Sequence, residues 1–335
     1  MVTISVIGCG RIGRMHLRNI AGCGGARLGP ICDPYAADIE GLARDYGVAA
    51  VESAEAIFLD SSVDAILVAS ATETHAAYIE AGVKAGKAVF CEKPIDLDLE
   101  RVDACAAAIA GLGGVVQLGF NRRFDPGHRA AFEALRGGEV GALHQVVITS
   151  RDPEMPPRSY VESAGGLLRD MTIHDFDLAR FFLGEEPEEV FAVGNALIDP
   201  ELGEELGDFD TAMILLRCAD GKQCCINNSR TAVYGYDQRV ELLGERGMLV
   251  SGNRRAHEMR RFGGAETERG EPYLYFFIER YGEAFVAELE AFVGCVRDGA
   301  RPEVGFEDGR RALVLAEAAY RSIKEGRLVR VDEIS

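Results

Sequence analysis

The stretch ISVIGCGRIGRMH, residues 4–16, constrains this chain more than any other. An apolar strand pattern runs straight into Gly8-Cys9-Gly10-Arg11-Ile12-Gly13, and a helix pattern runs out of it. The spacing G-x-G-x-x-G is weak by itself, but between a strand and a helix it has a mechanical meaning. Gly8 permits the tight turn, Gly10 lets a pyrophosphate approach the backbone, and Gly13 lets the helix pack close to the strand. Unpaired N–H groups at the helix start, around Arg11 and Ile12, would then receive the anion. Asp33 ends the next strand, twenty-five residues after Gly8. There it could accept from both ribose hydroxyls and repel a 2′-phosphate, so the expected dinucleotide is NAD in preference to NADP. Arg11 and Arg14 weigh the other way. A ligand-free glycine turn, and a cap or turn role for Asp33, are the plain alternatives.

The rhythm that follows extends this unit. Strand patterns at 26–32, 64–69, 87–91 and 115–120 alternate with helix patterns at 36–46, 74–85 and 98–110. Such alternation predicts a parallel sheet covered on both faces, an α/β domain over residues 1–120. Beyond it the pattern changes. Helices are predicted at 126–137, from the glycine pair Gly165-Gly166 to about 182, at 273–295 and at 307–324. Strand-like runs lie at 143–150, 189–194, 210–217, 222–228, 237–242 and 247–250. Turn signals such as Asp220-Gly221 separate them. Residues 121–335 therefore read as an α+β domain on a large, mostly antiparallel open sheet. The final helices fit equally against the first domain or the second.

Composition excludes several classes. With 54 acidic and 36 basic residues the net charge is −18, which disfavours binding to a nucleic-acid backbone. No apolar run is long enough for a membrane helix. No signal-peptide pattern precedes the first strand, so a cytoplasmic protein is expected. Nine cysteines without metal-ligand spacing read as free thiols, and no metal is expected.

Chemistry-bearing residues cluster at a few places. Glu92-Lys93-Pro94 follows the strand 87–91, at the sheet edge where open α/β sheets bind ligands, so Lys93 could reach a substrate hydroxyl. A surface lysine is the alternative. Asp170, His174 and Asp177 are spaced to share one face of an otherwise apolar helix. A cleft wall, a satisfied core histidine and a metal cluster all fit that spacing. As a cleft wall it suits alcohol oxidation: His174 takes the hydroxyl proton, Asp170 orients the imidazole, and Lys93 stabilises charge on oxygen. Asn121-Arg122-Arg123 after the last strand of the first domain, Arg151-Asp152 at a strand end, and Tyr234 and Tyr236 in VYGYD could grip a polyol. Hinge ion pairs and aromatic packing fit them equally. Tyr234 and Tyr236 would face the same side if extended.

Taken together, VIGCGRIGRMH, CEKP, GFNRRFDP and GGLLRDMTIHDFDLARFFLG resemble the glucose-fructose oxidoreductase, inositol dehydrogenase and MocA family. The resemblance spans essentially the whole chain and is closest to the inositol 2-dehydrogenases. It implies an NAD-binding Rossmann domain at 1–120 and a substrate-binding and oligomerisation domain at 121–335. It also implies oxidation of a ring alcohol of a cyclic polyol, myo-inositol becoming its 2-keto product. By the same resemblance Lys93, Asp170 and His174 are catalytic. Gly8, Gly10, Arg11, Ile12, Gly13, Asp33, Ser70, Thr72, His75, Glu92 and Lys93 hold the cofactor. Arg123, Arg151 and Tyr236 join the catalytic residues around the substrate, in a homodimer or homotetramer. Scyllo-inositol, other isomers, a pyranose sugar, and an NAD-binding regulator without turnover remain open.

Overall fold

The computed structural model describes residues 1–334. The chain forms two compact units, one of residues 1–121 and 283–313, the other of 122–282 and 314–335.

In the first unit, strands β1 (Val2–Ile7), β2 (Ala26–Cys32), β3 (Ala65–Val68), β4 (Ala88–Cys91) and β5 (Val116–Leu118) make one sheet, ordered β2-β1-β3-β4-β5. All its neighbours are parallel. Every residue of β1, β3 and β4 is buried, as strands covered on both faces must be. Because the strands run parallel, the residues that follow them line one edge. In sheet order these are Asp33, the Gly8 loop, Ser70 and Glu92-Lys93. The strand order reverses between β1 and β3, which is where such sheets open a ligand crevice. Leu289, Phe292 and Val293, from the helix Gly282–Asp298, join Ile4, Leu17 and Phe90 in the core. Burial of each large side chain there contributes about 2 kcal/mol.

The second unit is built on a seven-stranded mixed sheet. Its strands are β6 (Leu143–Arg151), β7 (Pro187–Asn195), β8 (Thr211–Cys218), β9 (Gln223–Ser229), β10 (Asp237–Gly244) and β11 (Gly247–Ser251). A short hairpin, β12 (Arg260–Gly263) and β13 (Glu266–Gly270), stands apart, and β14 (Val329–Arg330) completes the large sheet. The order is β11-β10-β6-β9-β8-β7-β14. All pairs are antiparallel except β6 with β9. In β8 buried and exposed residues alternate, the signature of a sheet covered on one face only. The helix Thr172–Leu183 packs on the covered face, against β6 and β9.

The single helix expected from Gly166 to about 182 is interrupted. Leu167–Asp170 forms one turn, Met171 breaks the run, and Thr172–Leu183 follows. The Thr172 hydroxyl donates to Asn228 Oδ1 at 2.8 Å, with the Leu167 carbonyl 3.3 Å away, and this side-chain competition accompanies the end of the first turn. Before it, Gly166 adopts φ +87°, and a Cβ there would lie 2.3 Å from Tyr320 Oη. Only glycine lets Asp208 close on this turn, where it accepts from Leu167 N–H at 3.0 Å. Tyr234 and Tyr236 do not share a side. Gly235 has φ +119° and turns the chain between them. Tyr234 is half-exposed, whereas Tyr236 is buried edge-on against Phe276 and Tyr281.

Candidate active site

In the first unit, the glycine loop has the geometry a dinucleotide requires. Gly8 adopts φ +92°, and a Cβ there would meet the Ala69 carbonyl carbon at 2.5 Å. A Cβ on Gly13 would lie 1.9 Å from the Gly8 carbonyl oxygen. At Gly10, by contrast, a Cβ would meet nothing within 4 Å, so this side of the loop is open. The helix Arg11–Gly22 starts there without a side-chain cap and without an acidic residue in its first turn. Its first N–H groups and its dipole are left for an anion. The Asp33 carboxylate sits beside the loop, accepting from Cys9 N–H at 2.7 Å and Tyr35 N–H at 2.9 Å. Those two bonds fix it in place. The residues present thus fit an NAD molecule, with backbone for the diphosphate and Asp33 for a ribose.

Other residues expected around the cofactor divide into two kinds. Ser70 and Thr72 stand at the end of β3 and the start of the helix Thr72–Lys84, and Ser70 Oγ is 2.6 Å from Thr74 Oγ1. His75 points inward instead. It is 2% exposed, with Nδ1 at 2.7 Å from the Pro94 carbonyl and Nε2 at 3.1 Å from the Ser70 carbonyl. Burial, against the pull of those carbonyls, pushes its pKa down. Glu92 also turns into the fold, its Oε1 2.7 Å from His16 Nε2. Lys93 is half-buried at the end of β4 and precedes a cis peptide to Pro94.

In the second unit, Asp170 and His174 lie on either side of the helix break. Between Met171 and Ala179 every residue is buried except His174, which is half-exposed. Asp170 Oδ1 accepts from Tyr160 Oη at 2.8 Å, and Oδ2 from Arg230 Nη1 at 3.1 Å. Arg230 is 1% exposed, yet it stays charged: burial opposes the charge and Asp170, then Asp152, outweigh it. Asp177 was expected on the face of Asp170 and His174. Its carboxylate is instead engaged by Arg123, through Nε at 2.8 Å and a second, shorter bond from Nη2. Arg123 is buried, with its guanidinium 5.1 Å over the Phe181 ring.

Next to this pair, Arg122 donates to Asp175 at 2.5 Å, and Asp175 accepts from Asn228 at 2.8 Å. Burial lifts the Asp175 carboxyl above its ordinary value although Arg122 opposes it. Strand alternation then sorts the end of β6. Ser150 faces the helix, within reach of Arg122 and Gln238, so Arg151 faces the other way. Arg151 is tied to Asn227 at 2.7 Å and Tyr234 at 2.7 Å, on the open face of the sheet. The structure does not bring it to Asp170 and His174. Its neighbour Asp152 is there instead. Burial, helped by Asp170 and resisted by Arg230, raises its pKa to about 7. Tyr236 is on the same side, where burial pushes its hydroxyl pKa well up and Arg122 opposes the rise. Sequence spacing gave no signal for Arg230 or Tyr160, and it marked Arg122 and Asp152 only as polar groups beside strand ends. Their partners are 10 to 60 residues away, and no periodic pattern links them.

A dinucleotide cradle in one unit, and in the other a half-exposed histidine four residues from a carboxylate held by Tyr160 and Arg230, suit a dinucleotide-dependent oxidoreductase. The comparisons with known proteins agree. Residues 2–120 match the oxidoreductase family's NAD-binding Rossmann fold, and residues 133–331 match its C-terminal alpha/beta domain. The chain is 43% identical to an inositol 2-dehydrogenase of Rhizobium meliloti, across 98% of this chain and 99% of that protein. It superimposes on a crystal structure of a probable dehydrogenase from Thermotoga maritima with a TM-score of 0.97, at 42% identity over 100% of both chains. A scyllo-inositol dehydrogenase from Lactobacillus casei, solved with NAD(H) and scyllo-inositol, matches with a TM-score of 0.91. Its identity is 30%, and 99% of each chain is covered. The chain belongs to the glucose-fructose oxidoreductase, inositol dehydrogenase and MocA family, and NAD is its cofactor.

Proposed function

We propose that this chain is an inositol 2-dehydrogenase, oxidising myo-inositol to its 2-keto product. The substrate is a cyclic polyol, and NAD supplies the hydride acceptor. The first unit contributes the diphosphate cradle, Asp33 for a ribose, and Lys93. A lysine ammonium at the substrate hydroxyl stabilises negative charge as the proton leaves. The second unit contributes the base. His174 takes the hydroxyl proton, and Asp170, held by Tyr160 and Arg230, orients the imidazole. Asp152, Arg122 and Tyr236 offer acceptors and donors to further ring hydroxyls.

One observation carries this reading. His174 is the one half-exposed residue between Met171 and Ala179 on an otherwise buried run, one turn from a carboxylate pinned by a buried arginine. The likeness to the Rhizobium meliloti enzyme supports the substrate. Scyllo-inositol is the second reading, favoured by the Lactobacillus casei relative that binds it. NADH formation with a panel of inositol isomers and aldoses tests both. Fastest turnover of myo-inositol supports the first reading and fastest turnover of scyllo-inositol the second. Tight NAD binding with no turnover on any polyol makes the chain a regulator instead.

The open sheet face supports self-association. Phe191 on β7 pairs with Leu215 on β8, and Val193 with Met213; all four are exposed. So apolar a patch fits a second copy of the chain, in a dimer or tetramer. Light scattering that gives a monomer would remove this assignment. All nine cysteines are free thiols, which suits a cytoplasmic enzyme.

A further inference from the structure

Beneath Lys93 lies a group of ionisable side chains that the proposed reaction does not use. His16 on the helix Arg11–Gly22, Glu92 at the end of β4, and Glu288 on the helix Gly282–Asp298 bring their donor atoms within 4.8 Å of one another. His16 and Glu288 are both 0% exposed. His16 Nε2 contacts Glu92 Oε1 at 2.7 Å. Neither carboxylate oxygen of Glu288 has a hydrogen-bond partner among the described residues, and neither has His16 Nδ1. The surroundings are apolar: the His16 ring meets Phe90 and Phe285 edge-on, with centroids 5.3 and 5.9 Å away. Two adjacent carboxylates cannot both stay charged in such a place, so either a proton or a metal cation offsets one of them.

The geometry favours the proton. A metal would have to enter between His16 Nε2 and Glu92 Oε1, which already touch directly. The 2.7 Å contact between His16 Nε2 and Glu92 Oε1 leaves Glu288 as the carboxyl of the group with no partner of its own among the described residues. Fully buried beside Glu92, Glu288 is the group that carries the proton. Burial and the neighbouring Glu92 both push the Glu288 pKa well up. Glu288 is held over the site by its own backbone, whose carbonyl accepts from Gln117 Nε2 at 2.9 Å.

Lys93 sits in the middle of the segment this group grips. Glu92 N–H donates to the Val68 carbonyl at 2.9 Å, the Glu92 side chain meets His16, and the Pro94 carbonyl meets His75 at 2.7 Å. We propose that His16, Glu92 and a protonated Glu288 are positioning residues for Lys93. They lock the Glu92-Lys93-Pro94 turn from one side while His75 locks it from the other. The proposal rests on the catalytic reading of Lys93. It also ties that turn to the helix whose N-terminus forms the diphosphate cradle.

The test uses the full chain with NAD and the polyol the wild type turns over. Glu288→Leu removes the proton carrier but keeps an apolar core filled, so its melting temperature should not fall. Its kcat should fall about tenfold, because Lys93 loses its fixed place, while the NAD dissociation constant stays within about twofold. Glu288→Gln, which mimics the neutral acid, should restore kcat to within about twofold of wild type. Wild-type kcat in Glu288→Leu overturns the proposal, as does an equal loss in the leucine and glutamine variants. One equivalent of a divalent metal in the purified wild type also overturns it. Infrared spectra need no folded Leu variant: a protonated-carboxyl band at neutral pH, absent in Glu288→Gln, is expected, and its absence from wild type refutes the proton. Lys93→Ala separates the two readings. If it keeps full turnover, the catalytic reading falls and the positioning role with it. If it is inactive while Glu288→Leu is normal, only the positioning role falls.

Discussion

The two units handle charge in opposite ways. At its ligand edge the first relies on backbone: a glycine loop, bare N–H groups at a helix start and one carboxylate pinned by two amides. The second relies on side chains. Arg122 with Asp175, Arg123 with Asp177, Arg230 with Asp170 and Arg280 with Asp125 are all buried ion pairs. A backbone site costs little to keep, because its donors are the unpaired ends of elements that form anyway. A ladder of buried pairs is costly. Each ion is desolvated, and removing one partner strands the other. Substitutions in the first unit should therefore alter binding with little change in stability, whereas many in the second should alter both.

The largest effect tests chemistry common to both. Lys93→Ala and His174→Ala should each lower kcat/KM about a thousandfold with NAD binding kept, measured by steady-state kinetics and NAD titration. Near-normal turnover in either would remove that residue from the reaction. Next, Arg230→Leu should strand Asp170 in the core. Denaturant unfolding should show a loss of about 3 kcal/mol together with a collapse of kcat. An unchanged midpoint would break the contrast between the units. In the first unit, Asp33→Ala should raise the NAD dissociation constant about tenfold and leave the unfolding midpoint in place.

The last effect concerns pH. His128, buried against Ser251 and beside Asp125, has its pKa pushed down to about 4, mainly by burial. In the unfolded chain a histidine titrates near pH ~6.5. The unfolded state therefore takes up the proton first. The contribution is complete above that value and is lost as pH falls toward about 4. His128→Gln should flatten this acid limb by about 3 kcal/mol, read from urea midpoints across the interval. A limb of unchanged slope would place acid sensitivity elsewhere.

The same contrast explains what could be read without coordinates. Gly8, Gly10, Gly13 and Asp33 act through local spacing, and a strand-to-helix context is enough to find them. The alternation of β8 was equally visible, because a half-covered sheet writes its burial into every second residue. The helices Ala54–Leu59 and Pro200–Leu206 were missed, being too short for a clear period. Arg158–Ala164 was hidden behind a proline-rich approach. The interruption at Met171 was invisible because Asn228 and Leu167, which draw Thr172 off, carry no periodic signal. Arg151 and Asp152 were both legible as polar groups at a strand end, but which of them faces the helix was not. The strand's alternation put the aspartate on the helix side. Arg230 had no signal at all, lying 60 residues from the carboxylate it holds.

The path of the chain has a consequence for recombination. It passes from one unit to the other at 121/122, 282/283 and 313/314, the last of these inside the helix Phe306–Glu325. A gene fusion joined near residue 120, the natural seam by sequence, would separate the first sheet from Leu289, Phe292 and Val293, which complete its core. Chimaeras that exchange the cofactor half with another dehydrogenase must carry residues 283–313 along with 1–121. Single-crossover shuffling is therefore expected to yield insoluble protein where a two-segment graft yields folded enzyme.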